Sequence, residues 1–134
     1  MSSGPKAFEA VVPSPNWPEK FTFSPGVKIG NMLFLSGTVA TDDTGQIVGV
    51  GDIVEQTRQI YRKFKVILER AGGSMNDIVE TTEYVTTFEN YPATAEVRRE
   101  FFGGPPWPTA TGVMVKELYR PHALIEIKAI AVLS

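Results

Sequence analysis

Glu126 is the one carboxylate of this 134-residue chain that sits between two isoleucines, in the run Leu124-Ile125-Glu126-Ile127-Lys128. A carboxylate in the middle of an apolar strand is costly to desolvate unless it is paired. Two readings follow. Glu126 forms an ion pair with Lys128, Lys116 or an arm from another subunit, or it is a general acid/base at the floor of an interface cleft. The only histidine, His122, lies in Tyr119-Arg120-Pro121-His122 and reads as a surface loop residue. No Gly-x-Ser-x-Gly elbow exists to recruit it for a serine triad. The chain has no cysteine, which removes thiol catalysis, disulfides, cysteine zinc sites and iron–sulfur clusters. A zinc site also lacks other ligands of the usual kind, so no metal is expected. Gly49-x-Gly51 reads as turn chemistry and not as a nucleotide-binding loop.

The elements that must position Glu126 form the order β-β-β-α-β-α-β-β, an α+β pattern. Residues 1–20 read as an irregular arm, because Pro5, Pro13, Pro15 and Pro18 interrupt every period. Phe8 and Trp17 are expected to pin it. The body, residues 21–134, reads as one domain. Val27-Lys28-Ile29 and Met32-Leu33-Phe34-Leu35-Ser36-Gly37 are strands joined by Gly30-Asn31, and Gln46-Ile47-Val48 is a third short strand. Ile53, Thr57, Ile60, Phe64, Ile67 or Leu68, and Ala71 recur at helical steps, predicting a helix near 53–71. Asp52 is its N-cap, Glu55 occupies the capping-box position and Gly72-Gly73 stops it. A strand over 78–88 follows, then a helix near 92–102 and a stiff Gly/Pro segment at 103–108. Strands near 111–118 and 124–133 close the chain as a hairpin through residues 119–122.

The last strand carries a further message. One face holds Ile125, Ile127, Ala129, Ala131 and Leu133 and should pack under two helices. The other holds Leu124, Glu126, Lys128, Ile130 and Val132, too apolar for a plain solvent face. Two helices cannot cover both sides of one sheet, so a second copy of the chain is the simplest cover. Composition narrows the role further. A net charge of −2 argues against a dedicated nucleic-acid binder, and 43% hydrophobic residues argue against disorder. No apolar run approaches the ~20 residues of a membrane helix. The N-terminus lacks a signal-peptide core, so the cytoplasm is the expected location and no membrane partner is expected.

Taken together, several segments resemble the Rid family, the reactive intermediate deaminases, also called YjgF-like or L-PSP-like. They are Phe23-Ser24-Pro25, Gly30 to Gly37, Gln56-Thr57-Arg58, Ile67 to Gly72, Asp77-Ile78-Val79, Phe101-Phe102, Pro108 and Leu124 to Ala131. The resemblance runs from about Phe21 to Val132. It implies a chorismate-mutase-like fold, a mixed sheet with two helices packed on one face. It further implies a homotrimer with clefts between subunits and hydrolysis of imines or enamines without a metal or organic cofactor. By resemblance, Glu126 positions or activates the attacking water, and the backbone of Ser36-Gly37 lines the cleft.

The departures matter as much. Phe23 stands where the deaminase branch has tyrosine, Ala95 where asparagine is common, and Gly112 where cysteine is frequent. Ala110 replaces the arginine that grips a substrate carboxylate in that branch. Losing one charged hydrogen bond costs about 1.5–3 kcal/mol, or on the order of 10- to 100-fold in affinity. Poor activity on 2-aminoacrylate-type substrates is therefore expected. Arg98, Arg99 and Arg120 are the candidate replacements. Phe23, Tyr91 and Trp107, with the small Ala110 and with Thr111 beside it, would shape a pocket for a larger or less polar imine or enamine. A non-catalytic trimer that binds a small metabolite or a protein partner is the alternative. Ribonuclease activity, an older family label, has little support in an acidic chain without a histidine pair.

Overall fold

The structure is a computed structural model that describes residues 4–15 and 17–134. Its six strands form one sheet in the order β1-β2-β3-β6-β4-β5. They are β1 (Glu9–Val11), β2 (Gly26–Ile29), β3 (Met32–Thr38), β4 (Ile78–Val85), β5 (Thr109–Met114) and β6 (Ile125–Val132). The helices are α1 (Ile53–Arg70) and α2 (Ala95–Phe102), both on one face of the sheet. A 3-10 turn, Tyr91–Thr94, leads into α2. Among the described residues no helix is long and apolar enough to cross a membrane.

α1 forms where the apolar period predicts it. Ile53, Thr57, Ile60, Phe64, Ile67 and Leu68 are buried against Leu33, Leu35, Ile125, Ile127 and Ala129 of the sheet. Asp52 accepts from the Glu55 amide at 3.0 Å, but the Glu55 carboxylate turns away to Arg58 and Arg62. Only half of the expected capping box is therefore made. Gln56 of α1 is fully buried, which its polarity did not announce. Its amide donates to the carbonyls of Gly49 at 3.1 Å and His122 at 3.0 Å and accepts from the Leu124 amide at 2.8 Å. One side chain thus joins two loops and the start of β6. Gln56→Leu is expected to cost about 2–4 kcal/mol, because buried backbone groups lose their partners, each worth ~1–3 kcal/mol. Urea unfolding checks this; a change below about 0.5 kcal/mol would contradict it.

Other expectations change as well, the strand near 111–118 to Thr109–Met114 among them. The arm is not wholly irregular: β1 pairs antiparallel with β2, placing Glu9 opposite Lys28 and Val11 opposite Gly26. Buried Val11 anchors it, while Phe8 stays exposed. Residues 46–48 form no strand; only an isolated Thr41–Ile47 bridge remains, since so short a segment lacks a neighbouring strand. The strand expected over 78–88 ends at Val85. Finally, β5 and β6 are not a hairpin. β5 pairs parallel with β4, and β6 runs antiparallel between β3 and β4. An all-apolar face on β6 suits this central position, where helices cover one side.

Candidate functional site

β6 divides its residues as the alternation predicts: Ile125, Ile127, Ala129 and Ala131 are buried toward α1. Glu126 lies on the opposite, open face. Tyr84 of β4 is its cross-strand neighbour. On the other side, β3 gains one residue relative to β6 between Leu35 and Thr38, a bulge at Ser36-Gly37. A Cβ at Gly37 would stand 2.5 Å from Oε2 of Glu126, so only glycine lets the carboxylate lie against this backbone. Ser36 is held from behind. Its amide donates to the Pro25 carbonyl at 2.9 Å and its hydroxyl to the Ser24 carbonyl at 2.6 Å. The hydroxyl is thereby committed, leaving backbone at the bulge, and the same bonds bring the Phe23 segment to the site.

Phe23 is 54% exposed; it meets Trp17 edge-on and Phe21 at a tilt, with ring centroids 5.7 and 5.6 Å away. Among the described residues Glu126 has no ion pair or hydrogen bond within the chain, so neither Lys128 nor Lys116 pairs with it. Along the open face Glu126 is followed by exposed Lys128, beside Thr82, and then by an apolar patch: Phe34 is 41% exposed, and Ile29 and Val132 are similarly open beside half-buried Val27, Met32 and Ile130.

Lys63 of α1 secures the far end of the bulge. Its ammonium donates to Thr38 Oγ1 at 2.5 Å, the Val39 carbonyl at 2.8 Å and Thr41 Oγ1 at 2.8 Å. Burial, reinforced by the Arg120 charge, lowers its pKa from 10.5 to about 8. Between those values the unfolded chain keeps a proton that the folded chain has released. Stability contributed by this group therefore rises with pH through that window, and its full penalty stands below about 8. The difference in unfolding free energy between wild type and Lys63→Met, followed from pH 7 to 10.5, should move in favour of wild type. A flat difference would show that the three acceptors hold the ammonium as well as water does.

The remaining predicted residues divide between the two faces of the sheet. In register, Thr111 lies beside Thr82 on the open face, two strands from Glu126. Ala110 and Gly112 lie beside Thr81 and Glu83, on the helix side. Tyr91 is also there, and its hydroxyl donates to Glu83 Oε1. Trp107 is 45% exposed in the segment before β5. No candidate arginine reaches Glu126. Arg98 pairs with Glu83 at 3.1 Å on the helix side, Arg99 is exposed on α2, and Arg120 donates to the Gly45 carbonyl at 3.0 Å. Exposed His122, at φ +69°, contributes its carbonyl to Gln56. Of the residues around the candidate site, Tyr84 and Glu83 escaped sequence reading. Tyr84 is identified only by strand pairing; Glu83, two residues from Val85, alternates onto the buried face and was detectable as a second carboxylate in a strand.

A mixed six-stranded sheet with both helices on one side is a chorismate-mutase-like α+β fold. The chain belongs to the Endoribonuclease L-PSP family, the Rid/YjgF-like proteins, whose family model matches residues 17–133. A RutC family protein of Pyrococcus abyssi is 40% identical over 110 residues, 81% of this chain and 84% of its own. The 3-aminoacrylate deaminase RutC of Acinetobacter baylyi is 32% identical, covering 92% of this chain and 96% of its own. Among solved structures, YyfA of Yersinia pestis, a Rid family protein of unknown function, superposes with a TM-score of 0.81 at 30% identity. That match covers 95% of this chain and all of YyfA. RidA of a Psychrobacter species gives 0.78 at 26% identity, over 96% and 100% of the two chains.

Proposed function

We propose that the protein is a homotrimeric imine or enamine hydrolase of the deaminase type, acting in clefts between subunits on substrates other than simple 2-imino acids. The observation that carries this reading is Glu126: a carboxylate without a partner among the described residues, set against bare backbone at Gly37, on a largely apolar sheet face that the chain leaves open. Placement of the other residues supports a shared site. Ala110 and Gly112 lie on the face of the sheet opposite Glu126, with only Thr111 between them on the same side as Glu126, so one pocket takes all of them where the β5 edge of one copy meets the open face of another. The deaminase name of the Acinetobacter relative agrees with this chemistry.

The reaction needs few parts. Glu126 accepts a proton from water as the oxygen attacks the C=N carbon, giving a carbinolamine. The carboxyl passes that proton to the nitrogen; it then takes the carbinolamine hydroxyl proton and delivers it to the same nitrogen, so that the C–N bond breaks, ammonia leaves and the carbonyl forms. One water is consumed and one ammonia released. No arginine stands at 110 to hold a carboxylate, so compact 2-imino acids lose their main grip.

Ammonia release from freshly generated imines and enamines tests the reading. The panel runs from 2-aminoacrylate through aminomuconate-like compounds to carboxylate-free ketimines. Turnover of a bulky or carboxylate-free member at least tenfold above 2-aminoacrylate is the expected result. Efficient turnover of 2-aminoacrylate would overturn the specificity argument. Turnover of no member would favour the second reading, a non-catalytic trimer that binds a metabolite or a protein. The absence of arginine, tyrosine and asparagine at positions 110, 23 and 95 supports that alternative.

A further inference from the structure

Beside Ala110 and Gly112, the helix side of edge strand β5 carries a phenol in place of a strand side chain. A Cβ at Gly112 would stand 2.3 Å from the Tyr91 hydroxyl oxygen, so the hydroxyl occupies the space a side chain at 112 would need. That hydroxyl donates to Glu83 Oε1. Glu83 is 3% exposed, and its other oxygen accepts from Arg98 Nη1 at 3.1 Å. The same Nη1 reaches Tyr61 Oη at 3.1 Å and Thr81 Oγ1 at 3.2 Å. Burial, and then the Glu83 hydrogen bond and charge, raise the Tyr91 pKa, so the phenol keeps its proton. That proton is committed inward. The lone pairs of the oxygen remain, next to two exposed residues with almost no side chain to cover them. An oxygen in this state accepts hydrogen bonds; it suits an N–H group and repels a carboxylate, which only accepts.

We propose that Tyr91, held by Glu83 and Arg98 over Ala110 and Gly112, is a specificity-determining residue that receives an N–H donor, so that the cleft selects carboxylate-free imines, amines and amidines. The proposal rests on the reading that ligands bind between the β5 edge and the Glu126 face. It deepens that reading by giving the chemistry of the end opposite the water.

Benzamidine and benzoate separate the possibilities. They share size and shape, but one offers N–H donors and the other only acceptors. Titration calorimetry of the assembled full chain should show benzamidine bound at least tenfold more tightly than benzoate. Tyr91→Phe should weaken benzamidine about tenfold, the equivalent of one hydrogen bond, and leave benzoate unchanged or improved. Glu126 would itself attract an amidinium, so the comparison is repeated in Glu126→Gln protein, where the same drop is expected. Gly112→Ala, which displaces the hydroxyl without removing it, should reproduce the loss if Tyr91→Phe is poorly folded. Equal affinity for the two probes, no benzamidine binding at millimolar concentration, or a preference untouched by Tyr91→Phe would each overturn the proposal. A Tyr91-dependent preference without ammonia release from any imine would instead sink the hydrolase reading and leave the N–H site standing.

Discussion

Glu126→Gln protein is expected to release ammonia from its preferred imine about 100- to 10,000-fold more slowly than wild type, the range that general acid–base catalysis supplies. Glutamine keeps the shape and the contact with Gly37, but it cannot take a proton from water. The stability and assembly of the protein should hardly change. Among the described residues no cation pairs with Glu126, so removing its charge strands no partner, and unfolding should shift by less than about 0.5 kcal/mol. The two readouts together separate chemistry from architecture. A loss of several kcal/mol, or dissociation of the proposed trimer, would mean that the carboxylate is paired with a neighbouring copy and is structural. Unchanged turnover would remove Glu126 from the mechanism.

The second large effect lies on the other face of the sheet. Arg98→Met should destabilise the fold by about 3–5 kcal/mol, because it leaves the Glu83 carboxylate buried without its cation. At a few degrees per kcal/mol, this is an apparent Tm lower by about 10–20 °C. Arg98 also bonds Tyr61 and Thr81 and lies over the Phe102 ring, 5.2 Å from its centroid. The double variant Glu83→Met/Arg98→Met is expected to be more stable than Arg98→Met alone, since replacing both ions removes the stranded charge. A double variant that is the weaker of the two would show that Glu83 contributes through Tyr91 rather than through Arg98. Thermal and urea unfolding at fixed protein concentration would measure both, since the proposed trimer would tie apparent stability to concentration.

Much of the fold is legible in the residues. The period of α1 emerges from Ile53, Thr57, Ile60, Phe64 and Leu68, because burying one helix face demands steps of three and four. β6 is legible for the same reason, its two faces differing strongly in polarity. β1 escaped notice because three residues are too short for a period, and prolines flank them. The false hairpin between β5 and β6 has a different cause. Adjacency in sequence is a local property, whereas strand order depends on which edges remain free once α1 and α2 have packed.

The site follows the same division. Glu126, Ser36 and Gly37 are identifiable from residue types and family resemblance, since a carboxylate between isoleucines and a glycine in a strand are locally anomalous. Tyr84 beside Glu126, the Gly37 backbone beneath it, and the Tyr91–Glu83–Arg98 cluster over Gly112 join residues far apart in the chain. Local composition by itself determined an α+β chain with a helix-covered sheet face, an unsatisfied apolar face and one anomalous carboxylate. Tertiary structure alone decided that β6 lies between β3 and β4, that the candidate arginines point elsewhere, and that a phenol fills the space at Gly112. The physical reason is range: periodicity and capping act within a few residues, while register and close packing are settled only when distant strands compete for the same neighbours.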